Sequence, residues 1–323
     1  VTVLVTGGAG YIGGHVVSAL RARGDRVVVV DDLSAGRPER VGDVPLERID
    51  LASAGARDDL ADAMRRHEVT AVIHLAARKK VEESVQRPVW YFDENLGGMV
   101  NVLHAAEATG VTGVVFSSTA AVYGPADEPV AEDGVTAPVN PYGETKLVGE
   151  WMLRDLAAAS RVRGIALRYF NVAGAAMNAL GDTADSNIVP MVYSRLEAGE
   201  QPLIFGDDYD TPDGTCVRDY VHVADVADAH LSALDALADG SAEPYRVFNI
   251  GTGTGSSVRD LVTRMIEISG STLEPEIAPR RAGDPAVVVA DAGRIRRELG
   301  WEARYGLDDM LRSAWEARRA GVR

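Results

Sequence analysis

Tyr142 and Lys146 stand four residues apart in the run Tyr-Gly-Glu-Thr-Lys, so a helix through them carries both on one face. A free tyrosine titrates near about 10 and is a poor base at neutral pH. A cation held beside it favours the phenolate and brings proton exchange with a hydroxyl within reach of pH 7. The spacing alone recurs by chance. It gains force here because the same chain opens with a nucleotide-binding signature.

That signature is Gly7-x-x-Gly10-x-x-Gly13. It follows a short β-branched run at residues 1–5 and opens a helix through Tyr11 and Ile12. Glycines in this position let backbone N–H groups approach a pyrophosphate at the helix N-terminus. A second strand, residues 27–30, ends at Asp31 and Asp32. A carboxylate there suits the adenosine ribose hydroxyls and repels a 2′-phosphate, which favours NAD over NADP. Asp31 is the first choice; Asp32 shares the role or merely starts the loop. Asp50 either lies near the adenine or is a plain turn aspartate. Further strands are expected at 71–75, 114–116 and 165–169, alternating with helices. This is the pattern of an α/β fold with a doubly wound parallel sheet of Rossmann type. Residues 116–119, Phe-Ser-Ser-Thr, end a strand, and the Thr119 hydroxyl is placed to share a substrate oxygen with Tyr142.

After residue 172 the pattern loosens into Gly, Asp and Pro clusters. Short strands are expected near 203–205 and 247–249, and helices over 223–238, 257–269 and 291–299. We divide the chain into a dinucleotide-binding part, 1–172, and a smaller α/β substrate-binding part, 173–323, the chain crossing between the two. The second part is expected to cap the carboxyl edge of the sheet.

Bulk properties exclude some partners. The net charge of the 323 residues is -15, which argues against DNA or RNA, whose binding rests on many Lys and Arg contacts. A small phosphorylated ligand needs only one or two placed arginines. One cysteine, Cys216, makes no internal disulfide and suits a reducing cytoplasm. No apolar run reaches membrane-spanning length, and the first residues enter a strand at once, without room for a signal peptide. No cluster of His, Cys and carboxylate has metal-ligand spacing; His74 and His222 read as packed, hydrogen-bonded histidines.

Across nearly its whole length the chain resembles the extended short-chain dehydrogenase/reductase family, and within it the UDP-glucose 4-epimerases. The stretches that carry this are TGGAGYIGGH, VIHLAA, ESVQRPVWYFDEN, FSSTAAVYG, NPYGETK, LRYFNVAGA, IFGDDYDTPDGTCVRDYVHV and APRRAGDPA. The resemblance implies NAD as cofactor and a UDP-hexose as substrate, oxidised at C4, turned over and reduced again. It implies Thr119, Tyr142 and Lys146 as the catalytic group, with Lys146 on the nicotinamide ribose. It adds Leu51, Leu75, Ala76, Ala77, Ser117 and Tyr169 to the cofactor site, and places Lys79 and Asn95 near the nicotinamide, though Lys79 also reads as a surface lysine. Asn171, Asn187, Arg218, Arg281 and Asp284 match contacts to the nucleotide sugar; structural salt bridges are the plainer alternative for the charged ones. A homodimer is implied, built on an apolar stripe of Leu147, Val148, Trp151, Met152 and Leu156 with Leu96, Val100 and Leu103.

Related 4,6-dehydratases carry Asp-Glu directly after the threonine. Here Ala120 and Ala121 stand there, and a methyl group moves no proton. Oxidation at C4 is supported and elimination is not. Three departures qualify the resemblance. Arg78, Lys80 and Glu82 replace smaller, apolar residues, which signals an acidic sugar or an altered surface. The loop at 175–186 is short. Val288 stands where some relatives have a tyrosine against the sugar 2-substituent, which leaves room for an N-acetyl group. The rival functions are a 4-epimerase of another nucleotide sugar (uronic acid, pentose or a different nucleotide), a dehydrogenase or reductase that releases its cofactor, and a silent NAD sensor.

Overall fold

The structure is a computed structural model that describes residues 1–125, 129–184, 186–239, 243–281 and 284–321. Asp185 of the short loop, and Ala282 and Gly283 of the APRRAGDPA stretch, lie outside the described residues. The chain forms two compact units. The first holds Val1–Val122, Thr136–Arg168 and Ala227–Phe248; the second holds Tyr123–Val135, Tyr169–Val226 and Asn249–Arg323.

The first unit is built on a seven-stranded parallel sheet. In chain order its strands are β1 (Thr2–Thr6), β2 (Arg26–Val30), β3 (Leu46–Glu47), β4 (Ala71–His74), β5 (Gly113–Thr119), β6 (Arg163–Tyr169) and a last strand, Tyr245–Ile250. In space the order is Tyr245–Ile250, β6, β5, β4, β1, β2, β3. The run doubles back at the β1/β4 boundary, with Val5 beside Ile73 on one side and Val29 on the other. Ligands of such sheets bind outside the carboxyl ends at this switch point. The helices are α1 (Tyr11–Arg23), α2 (Ala56–Arg66), α3 (Val81–Gln86), α4 (Pro88–Thr109) and α5 (Pro141–Ala159).

These strands are near-continuous apolar runs because both faces of the sheet are buried. Leu4, Val28, Val72, Val114 and Ala166 share one core with Leu60 and Met64 of α2, Met99 and Val102 of α4 and Leu153 of α5. The alternate positions, Val3, Val5, Val29, Ile73 and Val115, are equally buried. Each such side chain contributes about 1.5–3 kcal/mol when fully buried. The strand Tyr245–Ile250 and most of the preceding helix, Val223–Ala238, belong with this unit, because that strand is the seventh of its sheet. Periodicity finds a strand but not the sheet it joins.

In the second unit the strand Val217–His222 organises the rest. It pairs in parallel with Asn171–Ala173 and Val287–Val288 and antiparallel with Gly255–Ser257. A core of Val192, Tyr193, Tyr220, Leu261, Met265 and Leu311 packs there with helices Ile188–Glu197, Val258–Ser269 and Leu307–Arg319. The central strand carries Arg218 and Asp219, both buried, which breaks the apolar pattern that marks a strand in sequence. Asp219 is accommodated because its carboxylate accepts from Thr252 N, Thr252 Oγ1, Gly253 N and Ala290 N.

The two histidines are packed and hydrogen-bonded. His74 Nδ1 and Thr6 Oγ1 lie 2.7 Å apart, and the His74 ring stacks on Phe116. Burial, with the Lys146 charge adding, lowers its pKa to about 3. His222 receives Ala224 N at 3.0 Å on Nδ1, and burial lowers it to about 4 against the pull of Asp309. An unfolded histidine titrates near about 6.5, so below that pH the unfolded chain binds protons that the folded chain refuses. Stability is therefore expected to fall by about 1.4 kcal/mol per pH unit for each histidine as pH drops from about 6.5 toward 4. Urea melts across that range should show a shallower decline in His74→Asn than in wild type. Parallel slopes would contradict the assignment.

Candidate active site

The turn between β1 and α1 is a cradle of backbone. Gly7 has φ +69°, and a Cβ there would lie 2.7 Å from Ala76 N. A Cβ on Gly13 would strike Gly7 O and Gly8 Cα, so this position must stay bare for α1 to start against the turn. Helix α1 begins at Tyr11 after Gly10, with no side-chain cap. Such a start suits a pyrophosphate. Tyr11 is buried and Ile12 half-buried beside it.

Asp31, at the end of β2, is buried, and burial raises its pKa against the hydrogen bonds that lower it. Its Oδ2 accepts from Ala9 N and its Oδ1 from Leu33 N, so it ties the cradle to the next loop. Each carboxylate oxygen keeps a second lone pair for a ribose hydroxyl. Asp32 Oδ1 accepts from Ser34 N and Ser34 Oγ, and these bonds with Arg78 hold its pKa below the ordinary value in spite of burial. Asp50 is exposed and its Oδ1 accepts from Ala52 N, the geometry of a turn aspartate; Leu51 beside it is buried and its carbonyl accepts from Asn101 Nδ2. Leu75, Ala76 and Ala77 leave β4 half-buried, with Ala76 against the Gly7 turn. The residues of this unit fit a dinucleotide: bare backbone for the diphosphate, and a buried acid at the end of the neighbouring strand.

The proton-transfer group lies where β5 meets α5. Asn140 caps α5 through Oδ1, accepting from Gly143 N at 2.8 Å. From that fixed start, Tyr142 and Lys146 fall on one face against the end of β5. The Thr119 hydroxyl is hydrogen-bonded to the Tyr142 phenol. Lys146 Nζ donates to Ser117 O at 2.8 Å, and Nζ lies 5.0 Å from the Phe116 ring centre. Burial raises the Tyr142 pKa, with the Thr119 hydrogen bond opposing. The lysine was expected to lower it; its ammonium is instead committed to the Ser117 carbonyl, and loss of hydration outweighs it. Burial lowers Lys146 itself to about 7, with Glu150 pulling the other way.

Two residues beneath this group have no motif. Glu150, one turn beyond Lys146, is gripped by Arg168 of β6, Nε to Oε1 at 2.9 Å and Nη2 to Oε2 at 2.7 Å, and also accepts from Ser118 Oγ. Thus Ser117, Ser118 and Thr119 engage Lys146, Glu150 and Tyr142 in turn. Asn95 of α4 is buried and joins the loop after β4 to α5: it accepts from Arg78 N and donates to Arg78 O and Thr145 Oγ1. Lys79 next to it is exposed. Arg78 does not point to a free sugar site. Its guanidinium is held by Asp32, Ser34 and Glu94, which removes it from the acidic-sugar reading.

The substrate candidates fall in the second unit. Asn171 pairs with Tyr220 and Val288 with Arg218, so Asn171, Val288 and Arg218 stand on one face of the small sheet. Arg218 donates to Asp284 Oδ1 and Pro285 O, each at 2.7 Å, so the salt bridge weighed as an alternative is present. Tyr169 is buried at the start of this unit. Asn187 stands before helix Ile188–Glu197 and donates to Asp182, while exposed Arg281 lies 4.0 Å over the Phe205 ring. Neither is joined to Arg218 by a hydrogen bond among the described residues. Among those residues no group of three or more His, Cys, Asp or Glu could hold a metal ion.

The model of the NAD dependent epimerase/dehydratase family matches residues 3–251. The chain belongs to this family. A UDP-glucose 4-epimerase of Azospirillum brasilense is 47% identical over 97% of this chain and 91% of its own. The crystal structure of a UDP-glucose 4-epimerase from Brucella ovis in complex with NAD superposes with a TM-score of 0.93 at 38% identity, covering 99% of this chain and 98% of that one. The UDP-Glc/GlcNAc 4-epimerase of Campylobacter jejuni superposes at 0.85 with 37% identity, covering 99% of both chains. Epimerases and dehydratases share the family, and between them Ala120 and Ala121 decide for the chemistry that needs no second acid and base.

Proposed function

We propose that this chain is an NAD-dependent 4-epimerase of a UDP-hexose, interconverting UDP-glucose and UDP-galactose. The observation that carries the reading is the Thr119–Tyr142 hydrogen bond at the tip of β5, with Lys146 one turn behind and the glycine cradle in the same unit. When bound, NAD supplies the transient hydride acceptor for C4 and a positive charge near the phenol. Tyr142 takes the proton from the 4-hydroxyl and returns it to the ketone oxygen after the sugar has turned its other face. Thr119 orients that oxygen by sharing it. Lys146 holds the nicotinamide ribose, and Asp31 the adenosine ribose. Asn171 and Arg218 hold the diphosphate, so the sugar is left free to turn; Asn187, Arg281 and Asp284 complete this set. Substrate labelled with deuterium at C4 should give a C4 epimer that keeps the deuterium. Loss of the label to solvent would contradict transient oxidation within one site.

A second substrate class is favoured by Val288. It is half-buried and in register with Arg218, and valine is much smaller than tyrosine. UDP-N-acetylgalactosamine is expected to be epimerised as well, and Val288→Tyr to cut its kcat/KM by at least about tenfold relative to UDP-galactose. Wild-type protein inert toward the N-acetylated sugar would contradict this. A homodimer fits the exposed Trp151 beside the half-exposed Val148 and Met152. No helix among the described residues is long and apolar enough to cross a membrane, and we place the protein in the cytoplasm, in galactose metabolism, where a lone buried Cys216 stays reduced.

A further inference from the structure

We propose that Arg78 is a strap across the dinucleotide crevice, a positioning residue that slows cofactor release, which presupposes that the glycine cradle binds NAD. Strand β1 lies between β2 and β4. Neighbouring strands are about 4.8 Å apart, so the ends of β2 and β4 are separated by roughly twice that. Chains leaving those two ends can touch only past the carboxyl end of β1, where the turn from Gly7 to Gly13 lies. Arg78, on the loop after β4, makes that contact. Its Nη1 donates to Ser34 Oγ at 2.7 Å and its Nη2 to Asp32 Oδ2 at 3.2 Å, both on the loop after β2. Its Nε donates to Glu94 Oε2 of α4 at 2.8 Å.

The root of the strap is rigid. Asn95 holds both Arg78 N and Arg78 O, and the guanidinium rests 5.3 Å from the Trp90 ring centre, with Arg87 over the same ring. The loop it grips is equally fixed: Asp31 anchors Leu33 N and Ala9 N, and Leu33 has φ +60°, which few residues other than glycine adopt. A lysine cannot reproduce the contact, because only a planar fork meets three acceptors in fixed directions at once. The pairs are 20–30% exposed, so each adds little to folding. A latch of this kind acts on the rate at which two loops part. An enzyme whose cofactor is regenerated in every cycle loses nothing by holding it. Exposed pairs are also screened by salt, so release should speed up with ionic strength.

The test uses the full protein loaded with NAD and follows exchange of bound NAD for labelled NAD in wild type, Arg78→Leu and Arg78→Lys. Three exposed or half-exposed contacts, each of about 0.2–1 kcal/mol, set the expected acceleration in Arg78→Leu at about tenfold. Arg78→Lys should fall between. The salt dependence of release should be present in wild type and flattened in Arg78→Leu, and kcat at saturating NAD should stay within about twofold, since Arg78 touches no reacting group. Release from Arg78→Leu at the wild-type rate would overturn the strap alone. So would faster release matched by an equal loss of thermal stability in the NAD-stripped protein, which marks a structural role. Wild-type protein that neither carries nor takes up NAD would overturn the cofactor reading and the strap with it.

Discussion

With Tyr142→Phe, turnover is expected to fall by about 10²–10⁴-fold while NAD stays bound. The substitution removes one hydroxyl and little else. Thr119 keeps a partner, since its Oγ1 also accepts from Ala121 N at 3.2 Å. Lys146 keeps the Ser117 carbonyl, and the glycine cradle is untouched. The variant should therefore fold, carry NAD and bind UDP, and fail at the proton transfer alone. Because Tyr142 has a raised pKa, its wild-type pH profile should rise toward alkaline pH as the phenolate is populated, and that limb should vanish with the hydroxyl. Measuring kcat beside the NAD content of the same preparation separates loss of chemistry from loss of cofactor. A variant that keeps more than about a tenth of wild-type kcat would remove Tyr142 from the role, since positioned acid–base catalysis contributes more than that.

Glu150→Leu is expected to destabilise the protein by about 3–5 kcal/mol, the cost of leaving a buried Arg168 without its partner. Both side chains are at most 5% exposed, and the pair is bidentate. For chains of this size a loss of that order lowers Tm by about 10 °C. Glu150→Leu combined with Arg168→Met should recover much of the loss, because an apolar pair of similar volume carries no desolvated charge. Thermal melts of the two single variants and the double variant form the cycle. Equal melting of Glu150→Leu and wild type would mean that the pair is hydrated in solution. Activity should fall in the single variants even below their melting temperatures, since Ser118 and Glu150 fix the register in which β5 presents Thr119 and α5 presents Tyr142.

What the sequence reveals and what it hides divide along a physical line. Gly7, Gly10 and Gly13 are legible because a backbone cradle needs bare positions at fixed local spacing. Tyr142 and Lys146 are legible because a helix turn sets their separation. The parallel sheet is legible because burial on both faces leaves runs such as residues 27–30. Arg78 reads as a surface or sugar-facing cation, since Asp32, Ser34 and Glu94 reach it only through the fold. The Arg168–Glu150 pair is hidden for the same reason, each residue sitting on its own element with no motif between them. Strand Val217–His222 is hidden by Arg218 and Asp219, whose charges are satisfied by loops distant in sequence. Tyr245–Ile250 is legible as a strand, but its place at the edge of the first unit's sheet is a property of topology.

Product analysis with purified protein and no added NAD tests the central claim most directly. UDP-galactose, UDP-N-acetylgalactosamine and UDP-glucuronate would be offered separately and their C4 epimers resolved. The account predicts UDP-glucose from UDP-galactose, UDP-N-acetylglucosamine from the second, and no epimer from the glucuronate, because Arg78 is committed to Asp32 and Glu94. Protein shown to carry NAD that leaves UDP-galactose unchanged would contradict it.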